Sequence, residues 1–153
     1  MEAASFAEIE QEFNERVQKI IWCNAATVDT QGRPLSRVVH PNWEGSTGWM
    51  LTRLTSHKVK HLSATPYVSL AYIDAAKPVY IDCAVEWITD LREKQRVWDF
   101  VAAIPSPVGY DPAPIYKTVD DPSFGLLKLT PWRIEVPSFP QTRVWHAAKQ
   151  PAG

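Results

Sequence analysis

The chain has 153 residues, 45% hydrophobic and 22% charged, with a formal net charge of −1; this fits one folded domain and excludes a disordered or collagen-like chain. The near-neutral balance gives no electrostatic ground for nucleic acid or an anionic membrane as partner, and no apolar run approaches the roughly 18–20 residues of a bilayer span. Met1-Glu2-Ala3-Ala4 lacks the basic and apolar segments of a secretion signal, so a cytoplasmic location is expected.

Ser5-Phe6-Ala7-Glu8 has the form of a capping box. Phe6, Ile9, Phe13, Val17 and Ile20 recur at helical spacing, predicting an amphipathic helix from about Phe6 to Lys19. The segment Ile20 to Val28 reads as a strand, Asp29 to Pro34 as a turn and Leu35 to Trp43 as a second strand, together a hairpin. After the turn Glu44 to Gly48, a short strand runs over Trp49 to Arg53. Ser56 opens a short helix, His57 to Ser63, which Pro66 stops. Tyr67 to Ile73 and Val79 to Ile88 are strands, and Asp90 caps another helix whose apolar stripe is Leu91, Trp98, Val101 and Ala102.

Pro105 to Pro122 is a long proline-rich loop of the kind that packs over a site or an interface. Phe124 to Leu129 and Trp132 to Val136 close the chain as two strands broken at Pro131. The segment from Pro137 reads as a partly mobile tail. Three parts are therefore expected: an N-terminal helix over 1–19, a barrel domain over 20–137 and a tail over 138–153. Hairpin-connected strands with few helices predict a mainly β fold, an antiparallel barrel of six or seven strands. Only six glycines are present and no dinucleotide fingerprint, so a Rossmann domain is disfavoured.

Cys23 and Cys83 lie in apolar stretches without a CxxC pair, as buried reduced thiols do. The i, i+4 pair His57 and His61 lacks the glutamate of a zinc-protease helix, so no metal site is read. No nucleophile-and-base arrangement marks a hydrolase, and no catalytic side chain is assigned.

The informative stretch is Trp49 to Leu62, where a strand ends and a helix begins at Ser56. Free backbone N–H groups and the positive dipole end make the first helical turn a seat for phosphate, given the Ser56 hydroxyl and Lys58. Arg37, on the preceding strand, has the reach and the planar fork for the same anion. The competing expectations are an ordinary serine cap at Ser56 and, at Arg37, a rim arginine paired with a carboxylate such as Glu86.

The order Arg37-Val38-Val39, Met50-Leu51-Thr52, Ser56-His57-Lys58, Leu62 and Pro66 resembles the flavin-binding split barrels related to pyridoxamine 5′-phosphate oxidase. Val79 to Glu86 and Leu127 to Ile134 resemble that family's later strands, so the likeness covers about Ile20 to Val136. The resemblance implies a split β-barrel that binds FMN with Arg37, Ser56 and Lys58 at the phosphate. It implies Leu51 and Thr52 at the ring, and Val39, His57 and Trp132 as further cofactor contacts. His57 stands where relatives often have arginine, and the family's second basic strand residue falls near Asn42; both changes weaken a phosphate site.

The implied function is an FMN-dependent oxidoreductase acting on a small molecule, as a homodimer with the cofactor at the subunit interface. The same fold with a deazaflavin (coenzyme F-420), or a non-catalytic flavin- or haem-binding stress protein, are the alternatives. The substrate-binding signature of the vitamin oxidase is not recognisable after Pro137, so pyridoxal phosphate synthesis is not implied.

Overall fold

The computed structural model describes residues 1–148. Its strands are β1 (Glu2–Ala3), β2 (Cys23–Val28), β3 (Pro34–Val39), β4 (Asn42–Glu44), β5 (Thr47–Arg53), β6 (Tyr67–Tyr72), β7 (Val79–Ile88), β8 (Phe124–Ser138) and β9 (Gln141–His146). The helices are α1 (Glu10–Ile20), α2 (His57–Ala64), α3 (Leu91–Ala103) and the single turn α4 (Ala113–Tyr116). The strands join one sheet in the order β1-β9-β8-β7-β6-β2-β3, with β5 pairing both β8 and β4. Every pairing except β1 with β9 is antiparallel. The sheet curls without closing, which is the mainly β split barrel expected from the hairpin connections.

Several boundaries differ from the sequence expectation. The residues Phe6–Glu8 form a separate 3-10 turn, and the Ser5 side chain makes no capping bond, so the capping box does not form. Pro41 lacks a ladder donor, and the stretch read as one strand from Leu35 to Trp43 divides there into β3 and β4. The opposite holds at Pro131: the two closing strands are one 15-residue strand, β8. A register shift between Asp82 and Cys83 lies where β7 passes Pro131, and a bulge there absorbs the missing donor. The segment after Pro137, read as a mobile tail, forms the end of β8 and β9, and β9 also holds β1. Residues 149–153 of that expected tail lie outside the described residues.

Two cores explain the sequence pattern. The barrel interior gathers Phe13, Leu70, Tyr72, Ile81, Leu127, Leu129 and Ile134. A second cluster on the far face of β5 and β8 packs Trp49, Leu51 and Leu126 against Val97 and Val101 of α3. Both faces of β5 are thus covered, which is why Trp49-Met50-Leu51 reads as continuously apolar rather than alternating. Asp90 caps α3 as expected, its carboxylate accepting from the Arg92 N–H at 3.2 Å.

Arg16 fastens α1 across the barrel end. It is buried, donates to the carbonyls of Pro78 at 2.8 Å and Pro137 at 2.6 Å, and pairs with Glu12. Burial holds its pKa below the ordinary arginine value, with Asp74 opposing. Both cysteines are free and buried, and burial pushes Cys23 up to about 12, so neither is a reactive thiolate near neutral pH.

Candidate functional site

The hairpin β2–β3 sets Arg37 opposite Ala25. From there the guanidinium reaches diagonally along β2, and Nη2 donates to Thr27 Oγ1 at 3.0 Å. His61 of α2 completes the contact, with Nδ1 at 3.4 Å from both Arg37 Nη2 and Thr27 Oγ1. A guanidinium only donates, so Nδ1 of His61 is the acceptor and its proton sits on Nε2. These bonds tie the start of the barrel to α2 and fix Arg37 against His61 in the later part of that helix.

Lys58 is the second residue of α2, close enough to Arg37 for the like charge to act on it. Burial first, and Arg37 second, hold the Lys58 ammonium below its ordinary pKa. Neither residue has a carboxylate partner among the described residues. Glu86, the carboxylate considered for Arg37, pairs with Lys128 at 3.9 Å instead. Ser56 occupies the N-cap of α2 with extended backbone, yet its hydroxyl caps nothing. Its Oγ is buried and without a partner. An unsatisfied buried hydroxyl and a lysine without a carboxylate partner at one helix N-terminus, with the Arg37 charge near enough to act on that lysine, fit an anion with several acceptor oxygens.

A groove of about 550 Å³ opens nearby. Val39, Met50, Leu51 and Lys58 supply one side, Trp22 and His40 another, and the proline-rich loop covers it with Pro107, Tyr110 and Tyr116. The loop is held at several points. Tyr116 donates its hydroxyl to Leu51 O at 3.0 Å, Arg53 Nη2 donates to Ile115 O at 3.1 Å, and Asn42 Nδ2 donates to Val108 O at 2.8 Å. Asn42 is therefore a buried loop anchor.

Two residues beside this groove hold positive φ without being glycine: Ile21 at 68° and Lys117 at 66°. Each forms a γ-turn, closed by Trp22 N–H to Ile20 O at 2.8 Å and by Thr118 N–H to Tyr116 O at 2.9 Å. Such turns cost on the order of 1–3 kcal/mol, and each lies next to an aromatic of the groove wall, Trp22 or Tyr116.

The sequence-derived residues divide accordingly. Ser56 and Lys58 stand at the start of α2, Arg37 contacts His61 further along that helix and acts on Lys58 through its charge, and Val39, Leu51 and Lys58 line the groove. Thr52 is buried with an unpartnered hydroxyl and does not line the groove. His57 is exposed on the first turn of α2. Trp132 lies on β8 in a different depression, with Tyr67, Val28 and Pro34. Sequence reasoning missed Thr27 and His61 as the support of Arg37, and Trp22, His40 and Tyr110 as groove walls. The proline content of the loop was the one signal for Tyr110; the others depend on strand register and have no local signature.

Comparison with known proteins bears on this geometry. The sequence profile of the family described as Pyridoxamine 5′-phosphate oxidase matches residues 9–136. No curated protein sequence matches. Among solved structures, a protein from Clostridium acetobutylicum related to general stress protein 26 is similar at 17% identity and a TM-score of 0.71, over 91% of this chain and 94% of that one. A pyridoxamine 5′-phosphate oxidase-related, FMN-binding protein from Nostoc punctiforme is similar at 15% identity and a TM-score of 0.68, over 97% and 93%. A heme-binding protein from Mycobacterium smegmatis is similar at 17% identity and 0.67, over 94% of this chain and 59% of that one. At these identities the likeness is one of fold.

Proposed function

Because this chain belongs to the pyridoxamine 5′-phosphate oxidase family, we propose that it is an FMN-binding oxidoreductase whose phosphate seat is Arg37, Ser56 and Lys58. The observation that carries this reading is the orphaned Ser56 hydroxyl at the start of α2, with Lys58 two residues on and Arg37 near enough to act on it, neither cation having a carboxylate partner among the described residues. Arg37 would make parallel bonds to two phosphate oxygens, and Lys58 would neutralise the dianion. The Ser56 hydroxyl would gain the partner it lacks. Val39 and Leu51 would form an apolar bed for the ring, and the anchored proline-rich loop would limit access of water.

The flavin, when bound, supplies the electron-transfer chemistry; the protein supplies position and environment. No side chain is needed as nucleophile. We also propose a homodimer with the cofactor at the interface. Edge strand β3 exposes Val38, and the depression around Tyr67 and Trp132 exposes aromatic area that a second copy would cover.

The test is the visible spectrum of the purified protein, followed by titration with FMN of the wild type and an Arg37→Ala/Lys58→Ala double variant. The expected result is flavin absorption or saturable FMN binding in the wild type and at least a hundredfold weaker binding in the variant. A folded wild-type protein that does not bind FMN overturns the reading. Absorption at the shorter wavelength of a deazaflavin, or a haem Soret band, would assign the seat to those alternatives.

A further inference from the structure

The groove holds a set of side chains that a phosphate seat does not use. His40 packs between two aromatics, its ring centroid 4.9 Å from Trp22 and 5.2 Å from Tyr110. Its Nε2 lies 2.8 Å from the carbonyl oxygen of Val108. A carbonyl only accepts, so Nε2 carries the proton. Burial lowers the His40 pKa, which keeps the ring neutral near pH 7. Nδ1 is then a lone-pair acceptor, and no described residue donates to it. The tautomer is fixed by the loop, and the loop is fixed by the Asn42 bond to the same carbonyl.

Trp22 is 58% exposed although it lies on the groove wall, so much of its indole is available to a ligand. The strained turn at Ile21 immediately precedes it. Among the described residues, the formally charged ones that line it are Lys58 and Asp111. The volume lies within the roughly 300–1,000 Å³ common for small-molecule sites.

We propose that Trp22, His40 and Tyr110 form a subsite for a planar, uncharged aromatic ring bearing an O–H or N–H donor, which His40 Nδ1 accepts. This names the substrate class of the same groove and rests on the flavin reading for the redox role, though not for the binding itself. The aromatic walls select flatness through ring contacts, and the fixed tautomer selects a donor over an acceptor or an ether.

The test uses 2-naphthol and 2-methoxynaphthalene, which share the ring system and differ in the donor, measured by equilibrium dialysis with and without saturating FMN. In the wild type, 2-naphthol is expected to bind about fivefold more tightly than the ether, the yield of one ordinary hydrogen bond. His40→Phe keeps a ring and should bring that ratio to about one. Trp22→Ala should weaken both ligands by about fivefold and leave their ratio unchanged. Equal wild-type affinities overturn the proposal, and they do so even if a variant fails to fold. Displacement of 2-naphthol by FMN also overturns it, since the aromatic walls would then belong to the cofactor. Discrimination without any FMN binding keeps the subsite and removes the flavin; FMN binding without discrimination does the reverse.

Discussion

Replacing Lys58 by methionine should move stability and ligand affinity in opposite directions. Lys58 is held in a partly desolvated place beside Arg37, and both effects disfavour its charge. Removing one of two like charges in a half-screened site should relieve about 1 kcal/mol in the ligand-free protein. For a chain of 153 residues that corresponds to a rise in Tm of about 2–4 °C. The same change deletes a charge-assisted contact to phosphate worth about 1.5–3 kcal/mol, so FMN should bind roughly ten- to a hundredfold more weakly.

The pH dependence follows from the sign of the shift. Because the folded-state pKa of Lys58 lies below 10.5, the penalty is fully present below that lowered value. It fades as pH rises towards 10.5, where the unfolded chain also deprotonates. The Tm advantage of Lys58→Met should therefore be constant near neutrality and shrink through the alkaline range. Calorimetry of flavin-free protein at low ionic strength, with FMN titration by fluorescence, measures both quantities. A variant that is less stable than the wild type and binds FMN equally well would refute the reasoning.

Other substitutions probe the support of the site. Arg16→Ala removes the cation that joins α1 to the carbonyls of Pro78 and Pro137 and leaves Glu12 one partner short; urea unfolding should show a loss of about 3–5 kcal/mol. Gly109→Ala would set a Cβ within 2.6 Å of Val101 O and 2.5 Å of Ile104 Cβ. That crowding should cost about 1–3 kcal/mol in chemical denaturation and weaken FMN by displacing the loop from the groove. Trp132→Arg alters a side chain that is 47% exposed in the single chain; stability at fixed dilute concentration should change by less than about 0.5 kcal/mol. Sedimentation velocity should show a shift from dimer to monomer, and an unchanged dimer would place the subunit contact elsewhere.

Local sequence rules read the fold well where one element decides for itself. The helix after Asp90, the β2–β3 hairpin and the long strand β7 follow from caps, turn residues and apolar runs. They failed where a partner decides. Pro131 looks like a break, yet a bulge at Trp132 in β8 itself keeps the strand paired with β7 past it. The segment after Pro137 is polar and proline-bearing, yet pairing with β1 and β8 orders it. At the site, strand spacing did not place Arg37, because β3 pairs with β2 and not with β5, whereas Ser56 and Lys58, met in one run of chain, could be placed by helix logic. Thr27 and His61 could not, because their meeting requires the register of β2 against β3 and the packing of α2 on both. His40 was legible only as a strand residue; its role depends on a carbonyl 68 positions away.

The length of β8 governs the order in which the protein can be built. Its first half lies between β5 and β7, and its second half between β7 and β9. Until residues 124–138 have left the ribosome, β5 has only the three-residue β4 beside it and β7 has one bare side. A nascent chain of this protein thus carries two sticky strand margins for most of its synthesis.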